Sequence, residues 1–357
     1  MFINKWRIIL IVFSFFLSGL IGCNSQKPEP QPAMELPEEI TIAYVAMTNT
    51  PTSPQALVGR DKGIFEEYLS EHDITVNWII TRDRDHTAPL MQEDNVDFIY
   101  IPINNFSAYS SQLSAFGGGD NFRLIAGSTE RSDGYSLVVR EGINSLNDLG
   151  AKTVGIPNDS LVTELAFANY LKSETDLKPD SVGGTVQIKF QDYIHLLNEG
   201  FNNGEYDAII TRNNFVAQAL EENQNAKELI ITPPAGAPNI NLIARKAIID
   251  NFPDVTKSVL QAHIEATKEA RTASPEYLAE LQINTYEFYV KEVLGAHYEP
   301  PAKERIVNGW TGLGIVDTPN LDFIEELVNY MQKAGYYEGK GMDNYIDLRL
   351  LRDITAQ

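Results

Sequence analysis

The sequence predicts an α/β protein made of two successive strand–helix units followed by a helical tail. Three observations carry that reading. Short apolar runs alternate with amphipathic stretches from Glu39 to Arg140. The same rhythm restarts after Leu149 and continues to Ala244. Beyond Ala247 the pattern is helical throughout, with breaks at Pro253, Pro275, Pro300-Pro301 and Pro319.

Taken in order, Glu39 to Met47 reads as a strand and Thr48 to Pro54 as a loop. Ser53-Pro54 opens an amphipathic helix to about Leu69, with proline in the first turn and Gly63 inside it. Ile74 to Ile80 is a second strand, rich in β-branched residues, and Asp85 to Asn95 a short helix. Val96 to Ile101 is almost continuously apolar and ends at Pro102, as a parallel strand covered on both faces would. Phe122 to Gly127 and Tyr135 to Arg140 add two more strands. In the second unit strands are expected at 152–156, 186–190, 206–211 and 228–232, with helices at 160–172, 193–201 and 214–222. Asn241 to Ala244 is the last, short strand.

The chain of 357 residues is too long for one ordinary core and suits two domains. Its 49 acidic residues against 28 basic ones give a formal charge of −21. Nucleic-acid binding is excluded by that balance, because it needs a basic face to displace counterions from phosphates. A single cysteine rules out a disulfide framework and a cysteine-based metal site. The five histidines are scattered, none in a metal-binding spacing. There is no phosphate-binding loop, no nucleophile elbow and no dinucleotide fingerprint; Gly117-Gly118-Gly119 follows a helix and precedes a strand, the reverse of that fingerprint's order, and reads as a turn. No enzyme constellation and no cofactor is predicted.

The N-terminus carries Lys5 and Arg7, then an apolar run from Ile8 to Ile21, Gly22 and Cys23. Spanning a bilayer takes about 20 apolar residues, so residues 1–22 read as a secretory signal. Leu20-Ile21-Gly22-Cys23 resembles the bacterial lipobox, which implies cleavage before Cys23 and its lipidation. Asn24 to Pro37 holds prolines at 28, 30, 32 and 37, an extended composition that serves as a tether, so 23–37 is read as lipidated cysteine plus linker. The expected location is extracytoplasmic, attached to the membrane through the lipid only.

Further along, Ser145-Leu146-Asn147-Asp148-Leu149-Gly150-Ala151-Lys152-Thr153-Val154-Gly155-Ile156-Pro157 resembles a segment of the periplasmic substrate-binding proteins of ABC importers. The likeness is to their nitrate/sulfonate/taurine and thiamine-pyrimidine group. Gly63-Ile64-Phe65, Val96-Asp97-Phe98, Gly204 to Ile210, Asn251 to Val255, Gln261 to Ala270 and Tyr345-Ile346-Asp347 resemble that group's other landmarks, in the same order. The resemblance covers about residues 38 to 352. It implies a two-lobed type II periplasmic-binding-protein fold with a ligand cleft between the lobes and a C-terminal helical segment. Residues 38–132 and 243–357 would form domain 1 and 136–240 domain 2. Strands Tyr135 to Arg140 and Asn241 to Ala244 would cross between them. It also implies capture of a small molecule, lobe closure and delivery to an ABC permease, without enzymatic turnover, by a protein expected to be a monomer.

Candidate ligand contacts then lie at strand ends, where helix N-termini offer free N–H groups. In domain 1 these are Thr48, Asn49 and Thr50, then Asn104 and Asn105, with Tyr100 near its strand end. In domain 2 they are Asn158, Asp159, Ser160 and Leu161, then Thr211 and Arg212. Ser160, Asn104 and Asn105 equally suit helix capping, and Trp78 and Tyr44 suit the core. Relatives commonly carry an aromatic-Glu-Pro sequence where this chain has Thr211-Arg212-Asn213. A guanidinium there suits a sulfonate, nitrate or other small organic anion, while Asp159 would favour an amine, a zwitterion or a neutral heteroaromatic. A receptor for a heteroaromatic vitamin precursor, a ligand-sensing lipoprotein and a same-fold biosynthetic enzyme stand as alternatives.

Overall fold

The apolar runs assemble into two sheets. The computed structural model describes residues 35–45, 53–81, 87, 89–91, 93, 95–102, 121–131, 135–157, 161–191, 194–211, 214–231, 237–311, 313–336 and 345–356. The first sheet has the order β11-β4-β10-β3-β1-β2, from strands β1 (Glu39–Val45), β2 (Thr75–Thr81), β3 (Phe98–Pro102), β4 (Phe122–Arg131), β10 (Ala237–Arg245) and β11 (Leu313–Ile315). The second has the order β7-β6-β8-β5-β9, from β5 (Tyr135–Val139), β6 (Thr153–Pro157), β7 (Gln187–Gln191), β8 (Ala208–Thr211) and β9 (Lys227–Ile231).

Both sheets follow one plan. In each a central strand is flanked by two parallel neighbours, β1 by β2 and β3, and β6 by β7 and β8. An antiparallel pair completes each, β10 with β4 and β5 with β9. The chain leaves the first sheet at Arg131, enters the second at Tyr135, leaves it at Ile231 and returns at Ala237. Arg131 pairs with Ala237, and Tyr135 with Ile231, so both passages are at one end of each sheet. Ile240 pairs with Pro102 and Ser136 with Thr211, so that end also carries the carboxyl termini of the parallel strands.

Helices cover the sheets. The first lobe uses α1 (Pro54–Lys62), α2 (Ile64–Ser70), α6 (Lys246–Asn251), α7 (Pro253–Thr272), α8 (Pro275–Phe288), α9 (Lys303–Thr311), α10 (Leu321–Lys333) and α11 (Arg349–Thr355). The second uses α3 (Leu161–Glu174), α4 (Ile194–Asn203) and α5 (Asn214–Glu222). One buried cluster fills the first lobe, and two more line the faces of the second sheet.

The structure corrects four expected elements. The helix predicted from Pro54 to Leu69 is two helices, because Gly63 adopts φ +66° and caps α1 with its N–H on Arg60 and Gly59. A left-handed residue ends a helix, and glycine adopts that conformation without a Cβ clash. The strand expected at 122–127 runs on to Arg131, and the last strand is the nine-residue β10 rather than a four-residue piece. Pro238 falls beside register shifts in the β10–β4 pairing, which is how proline is tolerated there. The tail is not wholly helical, since Leu313–Ile315 adds an edge strand to β4. Pro253 and Pro275 each occupy the first turn of a helix, where the missing N–H costs nothing.

An aspartate at the start of the third parallel strand clasps each sheet. Asp97 accepts from the Thr41 backbone N–H at 2.9 Å, and Asp207 accepts from the Thr153 N–H at 2.9 Å. Their own N–H groups donate back to the Thr41 and Thr153 carbonyls. An arginine after the antiparallel strand completes each clasp: the Arg245 N–H donates to the Asp97 carbonyl and the Arg140 N–H to that of Asp207. Arg245 also forms an ion pair with the Asp97 carboxylate, whereas Arg140 Nε donates to the Tyr206 carbonyl at 2.8 Å. Asp97 is buried and Asp207 half-exposed. Asp97→Ala should therefore cost about 3 kcal/mol by orphaning a partly buried guanidinium, and Asp207→Ala about 1 kcal/mol for its backbone contact. Urea denaturation of the two variants checks the difference.

Candidate functional site

The two carboxyl-end edges define the candidate site. Val45, Thr81 and Pro102 end the parallel strands of the first sheet, and Pro157, Gln191 and Thr211 those of the second. Ligands of open α/β sheets bind at this edge, because strand ends and helix N-termini leave backbone groups free.

On the first lobe a buried polar network fixes the start of α1. Ser53 caps the helix by accepting from the Ala56 N–H at 3.3 Å. Gln55 is fully buried, and its Nε2 lies 3.1 Å from the Ser128 carbonyl, 3.0 Å from Thr267 Oγ1 and 3.1 Å from the Val316 carbonyl. Its Oε1 accepts from Ser128 Oγ at 2.5 Å. One amide thus ties α1 to β4, α7 and the residue that follows β11, and sets the height at which the helix begins. Two residues of this lobe's edge bond locally: Thr81 Oγ1 donates to the Tyr44 carbonyl and receives Thr87 Oγ1 at 3.1 Å.

Several sequence-predicted contacts lie outside the described residues: Thr48, Asn49 and Thr50; Asn104 and Asn105; Asn158, Asp159 and Ser160; and Arg212. Cys23 does so as well. Leu161 is the first residue of α3, directly after β6 and its connection. Thr211 ends the neighbouring strand β8, is buried, and has no partner for Oγ1. Tyr100 sits inside the first core, 1% exposed, with its hydroxyl 2.8 Å from His263 Nδ1 and its ring stacked on the imidazole at 5.8 Å. Burial holds the Tyr100 hydroxyl well above its ordinary pKa and lowers that of His263 to about 4, so both are neutral core groups.

Two groups escaped the sequence reading. Asn241 lies opposite Ile101, one residue short of the carboxyl end of β3, and is buried with both amide atoms unpartnered. The signal was present as an amide flanked by Ile240 on one side and the apolar run Leu242 to Ala244 on the other. Glu164, in the first turn of α3, is fully buried at the contact between the lobes. Its Oε1 accepts from Ser181 Oγ at 2.5 Å, Tyr330 Oη at 2.8 Å and Tyr336 Oη at 3.3 Å, and its Oε2 has no partner. Tyr330 belongs to α10 and Tyr336 follows it, so the C-terminal segment grips the second lobe through this carboxyl. Val162 and Leu165 of α3 pack into the first lobe's core beside it. Asn169 donates to Glu326 at 2.9 Å, and the Phe190 ring meets Tyr336 edge-on at 5.9 Å.

At the opposite end of the first sheet, Arg123, Lys246 and Arg349 line a groove of about 720 Å³. Its charges are largely paired internally. Arg349 holds Asp347 at 2.9 and 2.6 Å, which keeps that carboxyl below the usual range, and Lys246 pairs with Asp250. Among the described residues no three His, Cys, Asp or Glu side chains come together to hold a metal ion, and no helix is long and apolar enough to cross a membrane.

This architecture matches solved structures. The periplasmic aliphatic sulphonate-binding protein SsuA of Escherichia coli superposes with a TM-score of 0.60 over 87% of this chain and 92% of its own, at 12% identity. The fold is that of type II periplasmic binding proteins. The periplasmic nitrate-binding protein NrtA of Synechocystis PCC 6803 matches at 0.57 over 89% and 88%, with 11% identity. The alkanesulfonate-binding protein SsuA of Xanthomonas axonopodis pv. citri matches at 0.54 over 87% and 97%, with 10% identity. No family model and no curated protein sequence matches the chain. In a type II periplasmic-binding fold the two edges described above are the facing walls of the two lobes.

Burial raises the Glu164 carboxyl above its ordinary pKa, against the three hydroxyl donors that favour its charged form. A carboxyl with a raised folded pKa binds more protons in the native state than in the unfolded one. Its stabilising share is complete below the unfolded value and is lost as pH rises from there through the folded value. Glu164→Gln keeps an acceptor for the tyrosines and cannot ionise. It should melt a few degrees above the wild type at pH 7, with the gap closing as pH falls toward 4.5. Calorimetric scans across that range measure it.

Proposed function

We propose that this protein is the solute-binding component of an ABC importer, which takes up a small organic anion between its lobes and presents it to the permease. The observation that carries the reading is the shared plan of the two sheets. Each turns the carboxyl ends of three strands toward the two chain passages, so a solute held there meets both lobes. Likeness to sulphonate- and nitrate-binding proteins supports the class of solute. In this reading Arg212, next to the buried Thr211, supplies a bidentate cation. Leu161 and the residues before it present the N-terminus of α3, with the remaining strand-end residues Thr48 to Thr50, Asn104 and Asn105 opposite. The first lobe, built from two separated stretches of chain, acts as one domain, and the second lobe, the stretch between them, as the other.

Cys23 carries the lipid that keeps the protein outside the cytoplasm at the membrane surface, and the protein works as a monomer. It binds without turning over its ligand.

Native mass spectrometry of protein purified from its host without refolding tests the reading. The expected spectrum shows an added small mass, identified after release as an organic anion and lost in Arg212→Ala. A bare polypeptide mass, together with no thermal shift from any sulfonate, carboxylate or nitrate, would refute it. At a ligand concentration of 100 times Kd, stabilisation of about 2.7 kcal/mol is expected. Cys23→Ala should move the protein from the membrane to the soluble fraction on cell fractionation.

A further inference from the structure

We infer that Asn241 and Thr211 are ligand contacts, one on each lobe, and that the bound molecule carries an N–H or O–H donor in addition to its acceptor oxygens. The inference rests on the receptor reading above and narrows its ligand to an amino- or hydroxy-substituted small organic anion.

Asn241 is 1% exposed, and neither Nδ2 nor Oδ1 has a partner. Exchanging the two atoms by a flip changes nothing, since both ends are orphaned. Its neighbours Ile240, Leu242, Ile243 and Ala244 are all apolar, and the one polar side chain bonded to this stretch of the ladder, Thr129 Oγ1, accepts from the Ile240 N–H at 3.2 Å and leaves the amide unpartnered. A buried amide with nothing to bond is costly, and native proteins keep few of them. A purely structural strand would carry an aliphatic residue here.

Position argues the same way. Asn241 stands opposite Ile101, at the carboxyl-end edge of the first sheet. Side chains alternate along a strand, and Tyr100, paired with Leu242, faces His263 of α7. Asn241 therefore projects from the other face, which it shares with its partner Gly127. A Cβ on Gly127 would lie 2.9 Å from the backbone of Thr318 and Pro319, so this is the face across which the chain enters α10, the helix that grips the second lobe. Thr211 closes β8 on the second lobe, is 1% exposed, and follows three apolar residues, again with an unpartnered oxygen.

The donor–acceptor inventory sets the class. The amide offers two N–H donors and one carbonyl acceptor, and the hydroxyl can do either. Nitrate or a plain alkanesulfonate offers acceptors only and would leave Oδ1 buried and unpaired. A molecule with an amino or hydroxyl group beside its anionic end satisfies both sides of Asn241. Sites built to bond a ligand N–H or O–H reject the analogue that lacks it.

The test combines matched probes with a shape-preserving variant. Wild type, Asn241→Leu and Thr211→Val, each purified from the host, are compared by native mass spectrometry for retained ligand. Titration calorimetry then uses 2-aminoethanesulfonate, 2-hydroxyethanesulfonate and ethanesulfonate. The expected result is a retained molecule bearing N–H or O–H that Asn241→Leu loses, or an affinity for a donor-bearing probe that drops at least about tenfold in that variant. Ligand-free Asn241→Leu should melt a few degrees higher than wild type, which also shows that it folds. The inference is overturned by a retained molecule without a donor, or by ethanesulfonate binding within twofold of its amino analogue. It is equally overturned if Asn241→Leu melts lower while binding is unchanged, since the amide then serves a structural water. If the wild type neither retains nor binds any molecule, the receptor reading itself falls and the inference with it.

Discussion

The paired aspartate clasps are the constraint on which the rest of the molecule depends. A parallel strand has no hairpin to fix its register, so something else must set where it starts relative to its neighbour. Asp97 and Asp207 do this by turning a carboxylate back onto the N–H of Thr41 and Thr153, at the entry to the central strands. A slip of one residue would reverse every side chain on β3 or β8 and carry Tyr100 away from His263. Register fixed at the amino ends fixes height at the carboxyl ends. The edges at Pro102 and Thr211 are therefore consequences of contacts made at the other end of the sheets.

The lobes are joined by more than their two chain passages. Glu164 draws hydroxyls from Tyr330 and Tyr336 of the C-terminal segment and from Ser181 of its own lobe, inside an apolar seam formed by Val162 and Leu165. Three donors converge on one oxygen while the other is bare, and burial opposes ionisation. An apolar substitute would pack at least as well, because buried charge rarely stabilises on balance. What the carboxyl adds is direction: only one placement of α10 on α3 satisfies both tyrosines. The same trade governs Asn241 and Thr211, whose buried polar atoms reduce the stability of the free protein.

Much of the architecture was legible because parallel strands advertise themselves. Val96 to Ile101 is apolar on both faces, and its partner strands are similarly rich in Ile and Val, so alternation and order could be read directly. What escaped depended on tertiary partners. Gly63 looks like a tolerated interior glycine until its left-handed φ is known. Leu313–Ile315 is too short to read as a strand, and it forms only because β4 leaves an edge for it. The length of β10 was hidden by Pro238, which the register shifts accommodate. At the strand ends, polar residues could be proposed as contacts from sequence because turn chemistry concentrates there. Asn241 and Glu164 could not, since an amide in a strand or a carboxylate in a helix means little until its burial and its missing partners are seen.

The acidic surface and the anionic ligand proposed above are compatible once distance is considered. A charge of −21 repels anions at long range, but at physiological ionic strength that field decays over about 8 Å. Inside a water-poor seam the balance is set by the nearest groups, where a single donor outweighs several screened carboxylates outside. Repulsion then slows encounter without weakening the bound state, and the penalty falls on every anion alike. Discrimination has to come from groups that read the remainder of the molecule. An unpaired amide held in an apolar strand is suited to that task, because it charges its cost to any ligand that fails to supply both a donor and an acceptor.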